Sequence, residues 1–151
     1  MFDLVRLPVF SQMPKGIRKL YSIPSLPPSL FLQTDSPSKI ISKKAKIIYY
    51  LTSFEPSMGA IKSVAEGKGA FAIPILPLLN VSGIQKAVLL SKMRNFVRIC
   101  KKYNADFFPC TLAQSQIELR NARELIGFGE LLDLSENESR EKMKTLKRII
   151  E

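Results

Sequence analysis

Phe71-Ala72-Ile73-Pro74-Ile75-Leu76-Pro77-Leu78-Leu79 and Asp106-Phe107-Phe108-Pro109-Cys110-Thr111-Leu112-Ala113 frame the stretch from Gln85 to Tyr103. The two framing segments are short, nearly continuous apolar runs, the pattern of strands buried on both faces. Between them, Leu89, Met93, Phe96, Val97, Cys100 and Tyr103 recur with a period near 3.6, which predicts a helix with one core-facing stripe. Strand, helix, strand in that order predicts a parallel βαβ unit, and hence an α/β fold.

The same alternation extends in both directions. Lys46-Ile47-Ile48-Tyr49-Tyr50-Leu51-Thr52 is the clearest strand of the first half, and Ala70 to Leu76 is another. Glu55-Pro56-Ser57 starts a helix that Gly67 and Gly69 close near Glu66. Asn121 to Leu132 is a predicted helix, and Ser135-Glu136-Asn137-Glu138 is a capping-box start for a final one. Towards the N-terminus, Phe2 to Leu7 is a first strand ended by Pro8, and Pro14 to Tyr21 a short helix. Ser22 to Ser29 reads as a loop, Leu30-Phe31-Leu32 as a strand, and Ser38 to Lys44 as a helix. The sum is about five parallel strands in one domain over residues 1–151. A complete (β/α)₈ barrel needs roughly 200–250 residues. The expected fold is therefore a reduced or incomplete TIM-like barrel, with units of the first half missing or compressed.

Composition narrows the function. The 23 Lys and Arg against 13 Asp and Glu give a net charge of +10, which favours a polyanionic partner. The excess is uneven: residues 1–68 carry +6 and residues 69–109 carry +5, whereas residues 110–151 carry −1. Histidine is absent, which argues against imidazole-ligated metal hydrolases and most neutral-pH acid–base mechanisms. Cys100 and Cys110 lack CxxC spacing and read as buried thiols of a reducing compartment. No signal-peptide pattern follows Met1, and no apolar run reaches the roughly 20 residues of a membrane span. The expectation is a soluble, cytoplasmic protein.

The helix over residues 86–103 is the strongest candidate for a nucleic-acid contact. Arg94, Arg98 and Lys101 fall at i, i+4 and i+7 on one side, with Lys92 and Lys102 as supporting charges. Asp106 is the only acid from residue 69 to 109, so local neutralisation is slight. Arg120 and Arg123 lie at the predicted start of the Asn121 helix, where cations oppose the helix dipole. A phosphate bound at that end would account for them, and so would pairing with Glu118 or Glu124. Gly67-Lys68-Gly69 lacks the surroundings of a phosphate loop, and Gly127-Phe128-Gly129 inside a helix points to close packing. Asp3, Glu55 and Asp106 are carboxylates at strand ends that could in principle share Mg²⁺, although loop carboxylates are usually solvated.

The ordered set from Lys68 to Leu134 resembles the C-terminal half of ribonuclease P protein component 3. The resemblance is best over residues 46–134, with 1–45 divergent and 135–151 a C-terminal helix. In the family a similar strand end carries a Ser-Ser-x-Ala type segment, followed by an Arg-x-Pro-Arg-Asp type segment. Here Cys110-Thr111-Leu112-Ala113 keeps the hydroxyl and alanine character, Arg120 and Arg123 match the arginines, and Glu124 replaces the acid. Ala122 stands where proline is usual, and Ile75-Leu76-Pro77-Leu78-Leu79 lacks a polar residue before its Pro-Leu-Leu. The resemblance implies a non-catalytic subunit of a holoenzyme that removes the 5′ leader of precursor tRNA. It further implies that the RNA subunit performs the hydrolysis with Mg²⁺. The implied partners are ribonuclease P RNA, precursor tRNA, protein component 2 and other protein subunits. Lys92, Arg94, Arg98, Lys101, Lys102, Arg120 and Arg123 are then the candidate RNA contacts. The competing expectations are a stand-alone TIM-like phosphoesterase or amidohydrolase, and a general RNA-binding basic domain.

Overall fold

Among the described residues six parallel strands form the core: β1 (Phe2–Val5), β2 (Lys19–Ser22), β3 (Phe31–Thr34), β4 (Ile48–Leu51), β5 (Ala70–Pro74) and β6 (Asp106–Cys110). The structure is a computed structural model and describes residues 1–7, 11–41, 43 and 45–151. Its helices are α1 (Ser38–Ile41), α2 (Met58–Glu66), α3 (Leu76–Leu79), α4 (Gly83–Lys102), α5 (Ala122–Leu131) and α6 (Glu136–Ile150). Pro8, where the first strand was expected to end, and Ser42 and Lys44 of the expected helix lie outside the described residues.

β3, β4, β5 and β6 pair in sequence order, and β1 pairs with β2, every pair parallel. The two sheets meet where β6 runs out. Leu112 N–H donates to Leu4 O at 2.9 Å, and Arg6 N–H donates to Ala113 O at 2.8 Å. The strands therefore follow one another around an arc as β3, β4, β5, β6, β1, β2. That is the cyclic order of a (β/α) barrel, with a seam between β2 and β3. The incomplete barrel read from the sequence is thus the observed architecture, with six strands rather than five.

The extra strand is Lys19–Ser22, which the sequence reading placed at the end of a short helix. Two facts explain the difference. Its register opposite Phe2, Asp3, Leu4 and Val5 buries Leu20 and Tyr21 against the core. In addition, Gly16 has a φ of +81°, and Ala122 N–H donates to Lys15 O at 3.0 Å, so the backbone there is bent onto α5 rather than coiled. A Cβ on Gly16 would lie 2.7 Å from Ala122 Cβ, which only glycine avoids. From β2 the chain reaches β3 through two 3-10 turns over Ile23–Ser25 and Pro28–Leu30, in place of a crossover helix. Pro24, Pro27 and Pro28 set these turns.

The core follows the sequence pattern closely. Tyr49, Phe71, Phe107 and Phe108 are fully buried. Met93, Phe96, Val97 and Cys100 bury the predicted stripe of α4, with Leu89 and Tyr103 packed at its margins. Phe96 meets Phe71 edge-on at 4.9 Å and Phe54 at 6.0 Å, geometries worth about 0.5–1.5 kcal/mol each beyond area burial. Cys100 and Cys110 are buried as expected, and burial lifts the Cys100 thiol pKa to about 12, so both are inert packing groups.

α6 lies across the N-terminal ends of the strands. Lys142 and Arg148 pair with Asp106, the first residue of β6, and Lys147 sits over the Phe2 ring at the start of β1. Lys19 at the start of β2 pairs with Glu151 at 2.8 Å. The predicted capping box is present: Ser135 Oγ accepts from Glu138 N–H, and the Glu138 carboxylate accepts from Ser135 N–H. Ser139 of α6 faces Gly129 of α5, where a Cβ would overlap its hydroxyl, so the glycine is needed for helix approach. That hydroxyl is buried without a hydrogen-bond partner. Ser139→Ala removes an unsatisfied group and is expected to be neutral or to stabilise by about 1 kcal/mol in denaturant unfolding. A loss above that size would show that the hydroxyl is bonded after all.

Candidate nucleic-acid interface

An open groove of about 570 Å³ runs between α4 and the turn joining α5 to α6. Lys92, Arg94, Arg98 and Lys101 line it from α4, and Leu132 and Asp133 close its other wall. α4 presents these side chains because its opposite face is committed to the core through Phe96, Val97 and Cys100. Residues one turn apart lie about 5–6 Å from each other, so Arg94 and Arg98 stand as neighbours along the groove.

The four cations are not equivalent. Arg94 Nε donates to Leu131 O at 2.6 Å and lies 3.8 Å from Asp133 Oδ2, which fixes the guanidinium against the α5–α6 turn. Lys101 Nζ pairs with Glu138 Oε1 at 2.9 Å. Glu138 takes that ammonium in addition to the Ser135 backbone N–H, and these two bonds, the backbone one foremost, hold its pKa down at about 2. Arg98 is oriented by Asn95, whose Oδ1 accepts from Nη2 at 2.7 Å, and it has no acidic partner among the described residues. Lys92 likewise has none. The local scarcity of acids in the sequence therefore overstated the net charge at this face. Asp133 and Glu138 arrive from beyond β6, where only the tertiary fold brings them.

Lys102 sits just outside the groove, its ammonium 5.7 Å from the Tyr103 ring. Arg120 and Arg123 are at the far end of α5, a helix of ten residues and so roughly 15 Å long, and do not join the groove. Asn121 caps that helix, and Glu124 completes a capping box by accepting the Asn121 N–H at 2.8 Å. Glu124 thus already supplies an anion at the positive end of the dipole. Arg120 donates to Ile117 O and Leu119 O, each at 3.1 Å, and lies 4.0 Å from Glu124. Arg123 lines a separate cavity with Lys15 and Arg140. The seven basic residues singled out from the sequence divide into a groove set and an α5-start set.

The carboxylates considered for Mg²⁺ do not converge. Asp3 is fully buried and accepts from Leu4 N, Thr111 N and Thr111 Oγ1 at 2.9, 2.8 and 2.6 Å. Asp106 is engaged by Lys142 and Arg148 under α6. Among the described residues no group of three or more His, Cys, Asp or Glu side chains is arranged as a metal site, and no helix is long and apolar enough to cross a membrane.

No family model matches the chain. Curated proteins do. Ribonuclease P protein component 3 of Methanosarcina acetivorans is 31% identical over 85 residues, covering 56% of this chain and 36% of that protein. The Methanosarcina mazei protein of the same name is 31% identical over 90 residues, covering 59% and 38%. That of Methanosarcina barkeri is 32% identical over 80 residues, covering 53% and 34%. The chain is homologous to ribonuclease P protein component 3. The homology spans little more than a third of the length of those component 3 proteins. Among solved structures, a chain in the cryo-EM structure of archaeal ribonuclease P with mature tRNA superposes with a TM-score of 0.66 at 17% identity. It covers 81% of this chain and 56% of that one, a likeness of fold.

Proposed function

We propose that the chain acts as a protein subunit of ribonuclease P, supporting RNA-catalysed removal of the 5′ leader from precursor tRNA. The observation that carries the reading is the homology to three component 3 proteins. The groove of α4 supports it physically. Lys92 and Arg98 are free of acidic partners there, and Arg94 is held in place by a backbone carbonyl, so an incoming phosphate meets cations that need little reordering. Hydrolysis belongs on this reading to the RNA subunit, which also holds the Mg²⁺. The protein's part is to offset phosphate repulsion where RNA segments approach each other, with Lys101, Lys102, Arg120 and Arg123 as further contacts. Ribonuclease P RNA, precursor tRNA, protein component 2 and other protein subunits are the partners.

Co-purification tests this directly. Tagged chain isolated from its native cells should bring down an RNA that cleaves precursor tRNA in Mg²⁺, together with component 2. Recovery of neither would end the reading.

A further inference from the structure

The C-terminal ends of the strands open on a cavity of about 380 Å³, at the opposite end of the arc from α6. Arg6, Gln33 and Tyr50 enter it from the ends of β1, β3 and β4, and Leu112 and Gln114 from the segment after β6. In barrels of this cyclic order, ligands are bound at this end. Three features mark the cavity as built rather than incidental. Tyr50 lines the space and is only 7% exposed, yet its hydroxyl makes no hydrogen bond with any described residue. Arg6 is aimed across the mouth, its Nη2 donating to Gln33 Oε1. Leu112 has a φ of +54°, a strained conformation for a side-chain-bearing residue, and its N–H to Leu4 O bond holds it there.

We infer that this mouth binds one unstacked nucleotide, its phosphate between the Arg6 guanidinium and the Tyr50 hydroxyl. The rest of the lining fits that ligand. Leu76 and Pro77 offer an apolar wall for a base face, and the carboxamides of Asn80 and Gln114 offer paired donors and acceptors for a base edge. Glu118 at the rim, whose carboxylate already orders the Gln114 N–H at 2.7 Å, is an acceptor suited to ribose hydroxyls. One guanidinium and one carboxylate leave the mouth without the surplus charge that would draw phosphate alone. A nucleotide within an RNA and a free mononucleotide share this chemistry. That the source is RNA rests on the function proposed above, whereas the nucleotide site does not.

Titration of the full chain with adenosine 5′-monophosphate, inorganic phosphate and a short single-stranded oligoadenylate tests the inference. Tyr50→Phe keeps the ring and removes only the hydroxyl. It should weaken the mononucleotide by about fivefold, the scale of one hydrogen bond, with an unchanged melting temperature. Arg94→Glu with Arg98→Glu should leave mononucleotide affinity unaltered, which separates the mouth from the groove and its fate from that of the RNA reading. Competition between oligoadenylate and the mononucleotide supports an RNA source, and saturation by the mononucleotide without competition supports a free nucleotide. Equal affinity for inorganic phosphate, or a Tyr50→Phe variant indistinguishable from the parent, overturns the proposal. If Tyr50→Phe melts early, Arg6→Gln serves as the second variant, and its unchanged mononucleotide affinity overturns it equally.

Discussion

Asp3→Ala is expected to destabilise the fold by about 3 kcal/mol, because three buried donors lose their acceptor at once. Each unsatisfied buried group costs about 1–3 kcal/mol, and the three share one site, so their costs do not add fully. The position is also where the arc is joined. Thr111 follows β6 and Asp3 lies in β1, so this carboxylate ties together two sheets that otherwise meet through few backbone bonds. Its charge is expensive there. Burial pushes the Asp3 pKa up to about 7 from 3.8, against the opposing pull of the Thr111 and Leu4 hydrogen bonds. Between those two values the folded chain keeps a proton that the unfolded chain has lost. Stability is therefore greatest below about pH 4 on this account and falls as pH rises through about 7. Asp3→Asn keeps an acceptor for the backbone donors without the charge, and should flatten that dependence. Urea unfolding of both proteins at pH 5 and pH 8 measures it, and an equal pH slope in the two would remove Asp3 as its source.

Reversing charge in the groove should produce the largest functional effect. Arg94→Glu with Arg98→Glu changes the local charge by four units at side chains that line one wall. We expect RNA affinity at low salt to fall by about one to two orders of magnitude, and the slope of log affinity against log salt to lessen by up to about 2. The two substitutions differ in kind. Among the described residues Arg98 is held by Asn95 alone, so its change acts on binding. Arg94 also braces Leu131 O, so its change should in addition loosen the α5–α6 turn. Arg98→Glu alone should thus give most of the binding loss with little change in melting temperature. Filter binding across a salt series, with melting curves alongside, resolves this. Unchanged salt dependence would take the groove off the list of contacts.

The order of elements was legible because burial on both faces leaves continuous apolar runs, as at Ile48–Leu51 and Ala70–Pro74. The start of α6 was legible through its capping box at Ser135, and that of α2 through Glu55-Pro56-Ser57, where Ser57 proves to cap the helix. β2 was not. Its four residues, Lys19 to Ser22, are too few to show a period, and their strand conformation depends on pairing with β1. The basic face of α4 was legible in its spacing, but its neutralising partners were not. Asp133 and Glu138 lie more than thirty residues from the cations they meet, in a turn and a capping box whose local signals concern only their own helices. The mouth was invisible for the same reason, since Arg6, Gln33 and Tyr50 are remote in sequence and meet only where parallel strands end together.

The seam between β2 and β3 bears on how such a chain can change length. Within β3 to β6, and between β1 and β2, admitting another strand would separate partners already in register. At the seam, the ring can take up or give up whole strand–helix units while the pairings from β3 through β6 and β1 to β2 stay as they are. Growth and loss there leave the groove on α4 in place, whereas the mouth, whose Arg6–Gln33 bond joins the strands on either side of the seam, changes with them.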